Sequence, residues 1–187
     1  EQQLKGKQAN LTQFGEAMSK YIIMMGLLLL LGSSLAEEAD MGLYIASFDL
    51  DEEHSTAALQ YSVSSYRTII QFPDDDRLIQ ISCTEYPNPY TIEFAQLCSG
   101  YSGSVSLYQV DGKLVPLFID PQSISVHYMI DGEWIDPNDG EFNANLDEDS
   151  TATLTGQNLV TCHFYTFGES DRSIYQFLDS LYVTKTR

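Results

Sequence analysis

Apolar residues in the first 70 positions recur at helical steps. Leu4, Leu11, Phe14, Met18 and Tyr21 are separated by seven, three, four and three residues. That spacing places them on one stripe of an α-helix. Ala39, Leu43, Ala46 and Leu50 continue in threes and fours. Leu59, Val63, Tyr66 and Ile70 repeat the pattern after a candidate N-cap at Ser55 or Thr56. No proline occurs before Pro73. The pattern predicts a helical spine over residues 1–70, broken near 49–54, with two or three separate helices as the alternative. Its middle, residues 21–36, carries no charge: Tyr21, Ile22, Ile23, Met24, Met25, Leu27, Leu28, Leu29, Leu30 and Leu31 dominate it. These sixteen residues would make a helix of about 24 Å, against a hydrocarbon core of about 30 Å. A signal peptide is the competing reading, with Lys20 as its basic flank and Ser34-Leu35-Ala36 as a small-x-small cleavage site.

From Phe72 the period shortens to two. Arg77–Cys83 alternates, with Ile79, Ile81 and Cys83 on one face. Glu85–Tyr90 reads as a loop and Tyr90–Leu97 as a second strand. Asp111-Gly112 and Asp131-Gly132 each separate two alternating runs, the strongest short hairpin signal. Thr151–Leu154 and Asn158–Phe167 supply two more strands around Thr155-Gly156-Gln157. Ile174, Phe177, Leu178 and Leu181 space like an amphipathic helix over Asp171–Val183 capped by Ser170 or Asp171, with a final edge strand as the alternative. The expected fold class is α+β. A long N-terminal apolar helix precedes an antiparallel β-rich domain over residues 71–187, either a sandwich or a sheet packed on the helix.

Charge divides the chain the same way. Residues 1–36 hold three lysines against two glutamates, whereas residues 37–187 hold 25 acids against 6 bases. An acidic domain of this kind repels phosphate backbones and anionic lipid, so nucleic acid is excluded as a partner. Bases before the apolar run and acids after it match an orientation with the C-terminal part outside a membrane.

Candidate chemistry is sparse. Asp136, Asn138, Asp139, Glu141 and Asn143 form the densest oxygen cluster and could supply a calcium site, although the glycine stands one residue early for an EF-hand. No other cofactor is indicated. Cys83, Cys98 and Cys162 predict one disulfide and one thiol outside the cell. A Cys83–Cys98 bridge across the proline loop is the preferred pairing; Cys83–Cys162 and three buried thiols are the alternatives. His54, His127 and His163 lack metal spacing and read as structural, with His127 exposed. Tyr86, Tyr90, Tyr101 and Tyr108 surround the proline loop as a candidate stacking surface. No serine, metal or phosphate-loop motif of an enzyme occurs.

The plan resembles type IV pilins and archaeal pilin-like surface proteins. The resemblance rests on the N-terminal apolar helix with a β-rich head and on Lys5-Gly6-Lys7-Gln8-Ala9-Asn10-Leu11, which is similar to a basic-glycine processing site. The apolar run begins well after Gly6, and Leu11 stands where bacterial pilins carry glutamate. Ser150–Gly156 with Val160–Phe167 resembles immunoglobulin-like and fibronectin-type sandwiches. However, Trp134 lies far from Cys83, and no tyrosine stands two residues before Cys162. The pilin resemblance implies a non-enzymatic cell-surface structural subunit. It would self-assemble into a filament through the N-terminal helix or sit in a membrane by it. The alternatives are a secreted β-sandwich binding or adhesion module with its signal peptide removed, and an accessory subunit of a membrane complex.

Overall fold

A computed structural model describes residues 36–73, 76–137 and 150–186 of the chain. Strands come in the order β1 (Glu37–Asp40), β2 (Tyr44–Phe48), β3 (Ser55–Ser62), β4 (Ser65–Gln71) and β5 (Leu78–Glu93), then a short helix α1 (Phe94–Cys98). They continue with β6 (Ser104–Val110), β7 (Lys113–Asp120), β8 (Ser123–Met129), β9 (Trp134–Ile135) and β10 (Thr153–Tyr165). Helix α2 (Arg172–Ser180) and strand β11 (Tyr182–Lys185) complete it.

All strand pairs are antiparallel. A large sheet runs β3-β4-β5-β10-β8-β7-β6, with β9 beside β10, and a small sheet runs β1-β2-β11. On β10, Val160, Cys162 and Phe164 share one face. Their cross-strand partners are Cys83, Ile81 and Ile79 on β5 and Tyr128, Val126 and Ile124 on β8. This inner face is covered by the small sheet and α2. Phe177 of α2 packs on Phe164 at 5.5 Å and on Phe48 of β2 at 5.2 Å between ring centres. Tyr44 of β2 donates to Asn158 Oδ1 at 2.8 Å. The opposite, outer face of the large sheet is covered in part by α1 and the segment after it. There Phe94 packs on Phe118 and Trp134, and Tyr101 stacks on Phe118 at 4.7 Å.

The helix α2 matches the periodicity of Ile174, Phe177 and Leu178, all fully buried. Asp171 caps it by accepting from the Ser173 amide at 3.0 Å. Its start is tied to the large sheet by Arg77. That guanidinium binds the carboxylates of Glu52 and Asp171 and lies over Phe72 and Phe167. Hydrogen bonds from Arg77, then from Ser173, hold the Glu52 carboxyl below its ordinary range.

The expected α+β plan is overturned. Residues 37–71 are almost entirely strand, and the longest helix among the described residues is the nine-residue α2. Tyr44, Ala46 and Phe48 alternate with half-buried neighbours, as do Tyr66, Thr68 and Ile70. Short runs containing both periods were resolved toward sheet because the strands bury every second residue against a partner. Gly42, at φ 96°, reverses the chain between β1 and β2, where a continuous helix had been expected. Among the described residues no helix is long and apolar enough to cross a membrane. The pilin-like plan and the transmembrane helix therefore conflict with this architecture. Residues Tyr21, Ile22, Ile23, Met24, Met25, Leu27, Leu28, Leu29, Leu30 and Leu31 lie outside the described residues.

Other local expectations also change. Glu85–Tyr90 is no separate loop: β5 runs through it. Tyr86 to Pro89 arch past a bulge in β10 between Gly156 and Asn158. The two strands expected around Thr155-Gly156-Gln157 are the single strand β10. At Asp131-Gly132 no hairpin closes, because β8 and β9 both pair with β10. The Asp111-Gly112 hairpin forms as expected, with both turn residues at positive φ.

Candidate functional site

The calcium cluster is not assembled among the described residues. Asn138, Asp139, Glu141 and Asn143 lie outside them, and Asp136 follows β9 half-buried. No group of three or more metal-ligating side chains occurs among the described residues. No disulfide joins Cys83, Cys98 or Cys162. Cys83 lies on the inner face of β5, whereas α1, which ends at Cys98, packs through Phe94 on the outer face. Cys83 and Cys162 sit on neighbouring strands of one sheet rather than across two. Burial pushes the Cys83 thiol up to about 12 and raises that of Cys162 as well, so neither offers a thiolate.

The four tyrosines separate. Tyr86 and Tyr90 stack on each other at 4.5 Å in the arch of β5. Tyr101 lies on the outer face. Tyr108 lies on the inner face, donating to Asp179 of α2 at 2.6 Å. Only Tyr90 of these is largely exposed.

His127 and His163 form a polar inlay on the outer face, whereas His54 lies apart, its Nε2 meeting Glu37 at 2.7 Å. His127 is buried rather than exposed. Its Nε2 meets the Tyr101 hydroxyl at 3.0 Å and its Nδ1 meets Thr161 Oγ1 at 3.3 Å. Burial, helped by nearby His163, pushes its pKa down to about 3. His163 Nδ1 meets Ser125 Oγ at 2.7 Å, and its pKa is lowered by burial and by Arg67. A serine paired with a histidine is the core of one kind of nucleophilic catalysis. Here Ser125 is fully buried, so no substrate reaches its oxygen, and the pair serves packing.

The open site lies between β7 and β8. Their ladder holds from Asp120↔Ser123 to Leu117↔Val126 and ends there. The next residue of β7 is Pro116, which has no N–H to donate. Beyond it β7 stays paired with β6 and β8 stays paired with β10, so the two strands diverge. The gap is a cleft of about 270 Å³. Val115, Leu154 and Trp134 wall it, and Leu114 and Ile135 stand half-exposed at its rim. Gly132 lets one wall lie against β10: a Cβ there would fall 2.1 Å from the Thr155 carbonyl oxygen.

The lining is polar as well as apolar, and Tyr128, Lys113 and Glu133 contribute to it. Tyr128 is almost wholly buried, and its hydroxyl has no hydrogen-bond partner. An unmet buried hydroxyl is unfavourable by about 1–3 kcal/mol. Lys113 is half-buried and donates to the Gly132 carbonyl at 3.1 Å. The exposed Glu133 completes the lining. Trp134 links cleft and inlay by donating from Nε1 to the His127 carbonyl at 3.3 Å.

The cleft had one legible signal, a proline inside an alternating run. The solitary Tyr128 hydroxyl had none, because its state depends on every neighbour in the fold. Comparison of the chain with known protein families, characterised proteins and solved structures finds no match.

Proposed function

We propose that the described β-module is a non-enzymatic binding module that takes a compact ligand into the cleft between β7 and β8. The observation that carries this reading is Lys113, half-buried at the cleft beside Trp134, Val115 and Leu154, with no carboxylate partner among the described residues. Binding sites are concave, with apolar walls and a few placed polar groups that fix orientation. A ligand acceptor at Lys113 would use the donors that the Gly132 carbonyl leaves free. The volume suits a ligand about the size of one or two rings.

Trp134 is the sole tryptophan of the chain and lines the cleft, so its fluorescence reports occupancy directly. Titration of the full chain with a panel of ring-sized acids, amides, alcohols and amines should find compounds that shift Trp134 emission. Lys113→Met should weaken those compounds that carry an acceptor about tenfold, the loss of one well-made hydrogen bond. A panel without any Trp134 response would end the proposal.

A further inference from the structure

The polar lining of the cleft also constrains what the ligand is, if the cleft is the binding site proposed above. Lys113 is one of six bases in residues 37–187, where 25 acids stand. Arg77 is engaged by Glu52 and Asp171, and Lys185 by Glu85 at 2.6 Å. The Lys113 ammonium instead donates to a backbone carbonyl. No carboxylate among the described residues lies within ion-pair reach of it. An ammonium has three donors, and the Gly132 carbonyl takes one.

The remaining charges around it are few. Asp111, at the turn two residues earlier, interacts electrostatically with Lys113 without pairing with it. Glu133 lies at the solvent side of the lining. A second negative charge on a ligand would face Glu133 across the cleft mouth. Beside them lie the apolar surfaces of Val115, Leu154 and Trp134.

We infer that the cleft binds a compact monocarboxylate with an apolar body, its carboxylate on the Lys113 ammonium and its body against Trp134 and Leu154. The same chemistry comes from a free aryl or branched acid or from the apolar C-terminal residue of a peptide. Charge-assisted hydrogen bonds are about twice as strong as neutral ones. In a chain of net charge −18, a local cation also offsets the general repulsion of anions. The glutamate at the mouth explains why one carboxylate, rather than two, is the fitting number.

The test uses the full chain, Trp134 fluorescence, and three probes: 3-phenylpropionate, 3-phenylpropionamide and N-acetylphenylalanine. The acid should bind about tenfold tighter than the amide. Lys113→Met should remove the advantage of the acid over the amide by weakening the acid more, and an unchanged urea midpoint of the free variant separates this from a general loss of fold. Tighter binding of N-acetylphenylalanine than of phenylpropionate assigns the peptide terminus as source; the reverse assigns the free acid. Equal binding of acid and amide overturns the carboxylate assignment and leaves the cleft as a site for neutral ligands. Absence of binding by all three probes overturns the carboxylate assignment. If the wider panel is also silent, the cleft falls as a site.

Discussion

The large sheet is interrupted twice, and the interruptions are treated differently. Between β5 and β10 the register shifts at Gly156 and Asn158. The freed amides of Gln157 and Asn158 are taken up by the Asp131 carboxylate at 3.0–3.1 Å. Between β7 and β8 the ladder stops at Pro116 and no described residue fills the gap. The first break is closed by the protein's own side chain, as buried or strained backbone usually is. The second leaves an open cleft with Lys113 at its side. A fold that satisfies one irregularity so fully and leaves the other open keeps the second available to something else.

The largest expected effect lies on β8 beside the cleft, at His127. Its folded-state pKa of about 3 lies below the ordinary value of 6.5. The unfolded chain therefore binds the proton first. The stabilisation is full above about pH 6.5 and is lost progressively as pH falls from there toward 3, on the order of 4 kcal/mol across the window. Urea titrations at a series of pH values should show that slope, and His127→Gln should flatten it.

Breaking the filled interruption comes next. Asp131→Ala should destabilise by about 2 kcal/mol, the strength of hydrogen bonds to a charged acceptor. Burial alone would raise the Asp131 carboxyl. The amides of Asn158 and Gln157 overcome that and hold it below the ordinary carboxylate range. The wild-type advantage over the alanine variant should therefore be present at neutral pH and vanish as pH falls below that range. Equal stability of the two proteins at pH 7 would show that the bulge is held by the sheet alone.

The open interruption should respond with the opposite sign. Tyr128→Phe removes an unpartnered buried hydroxyl, so it should stabilise the ligand-free protein by about 1 kcal/mol, read as a higher urea midpoint. Smallest of all is Pro116→Val. It restores an N–H opposite His127 and lets the ladder extend, adding about 0.5 kcal/mol. Its sharper readout is the narrowing of the cleft, seen as a weaker Trp134 response to any ligand. If both substitutions destabilise by more than 1 kcal/mol, the two breaks are equivalent packing defects and the contrast between them fails.

Legibility in the sequence followed the range of the interactions. The Asp111-Gly112 hairpin and the helix with Ile174, Phe177 and Leu178 rest on contacts within a few residues, and the pattern shows both. The helical spine to Ile70 failed where Ala46 and Tyr66 fit both a three-four and a two-residue period. Only pairing with strands far along the chain decides between those. The buried state of His127 was hidden for the same reason: Tyr101, which covers it, stands 26 residues away. Pro116 stands within Lys113–Ile119, a run expected to be an uninterrupted hairpin strand. That β7 and β8 diverge there, instead of one of them bulging, depends on β6 and β10 holding their outer edges.

The small sheet closes with the last strand described. β11 pairs with β2, so Tyr182↔Ser47 and Lys185↔Tyr44 join residues more than 130 positions apart. The Thr186 amide also donates to the Leu43 carbonyl at 2.8 Å. As the chain leaves the ribosome, β1 and β2 must wait for more than 130 further residues before their sheet is complete. Until then the aromatic face of Tyr44 and Phe48 is uncovered. Contacts of such long range make folding slow and leave nascent chains sticky. Stalled translation products that stop before Tyr182 should be ready clients for chaperones and proteases, whatever the cleft binds in the finished protein.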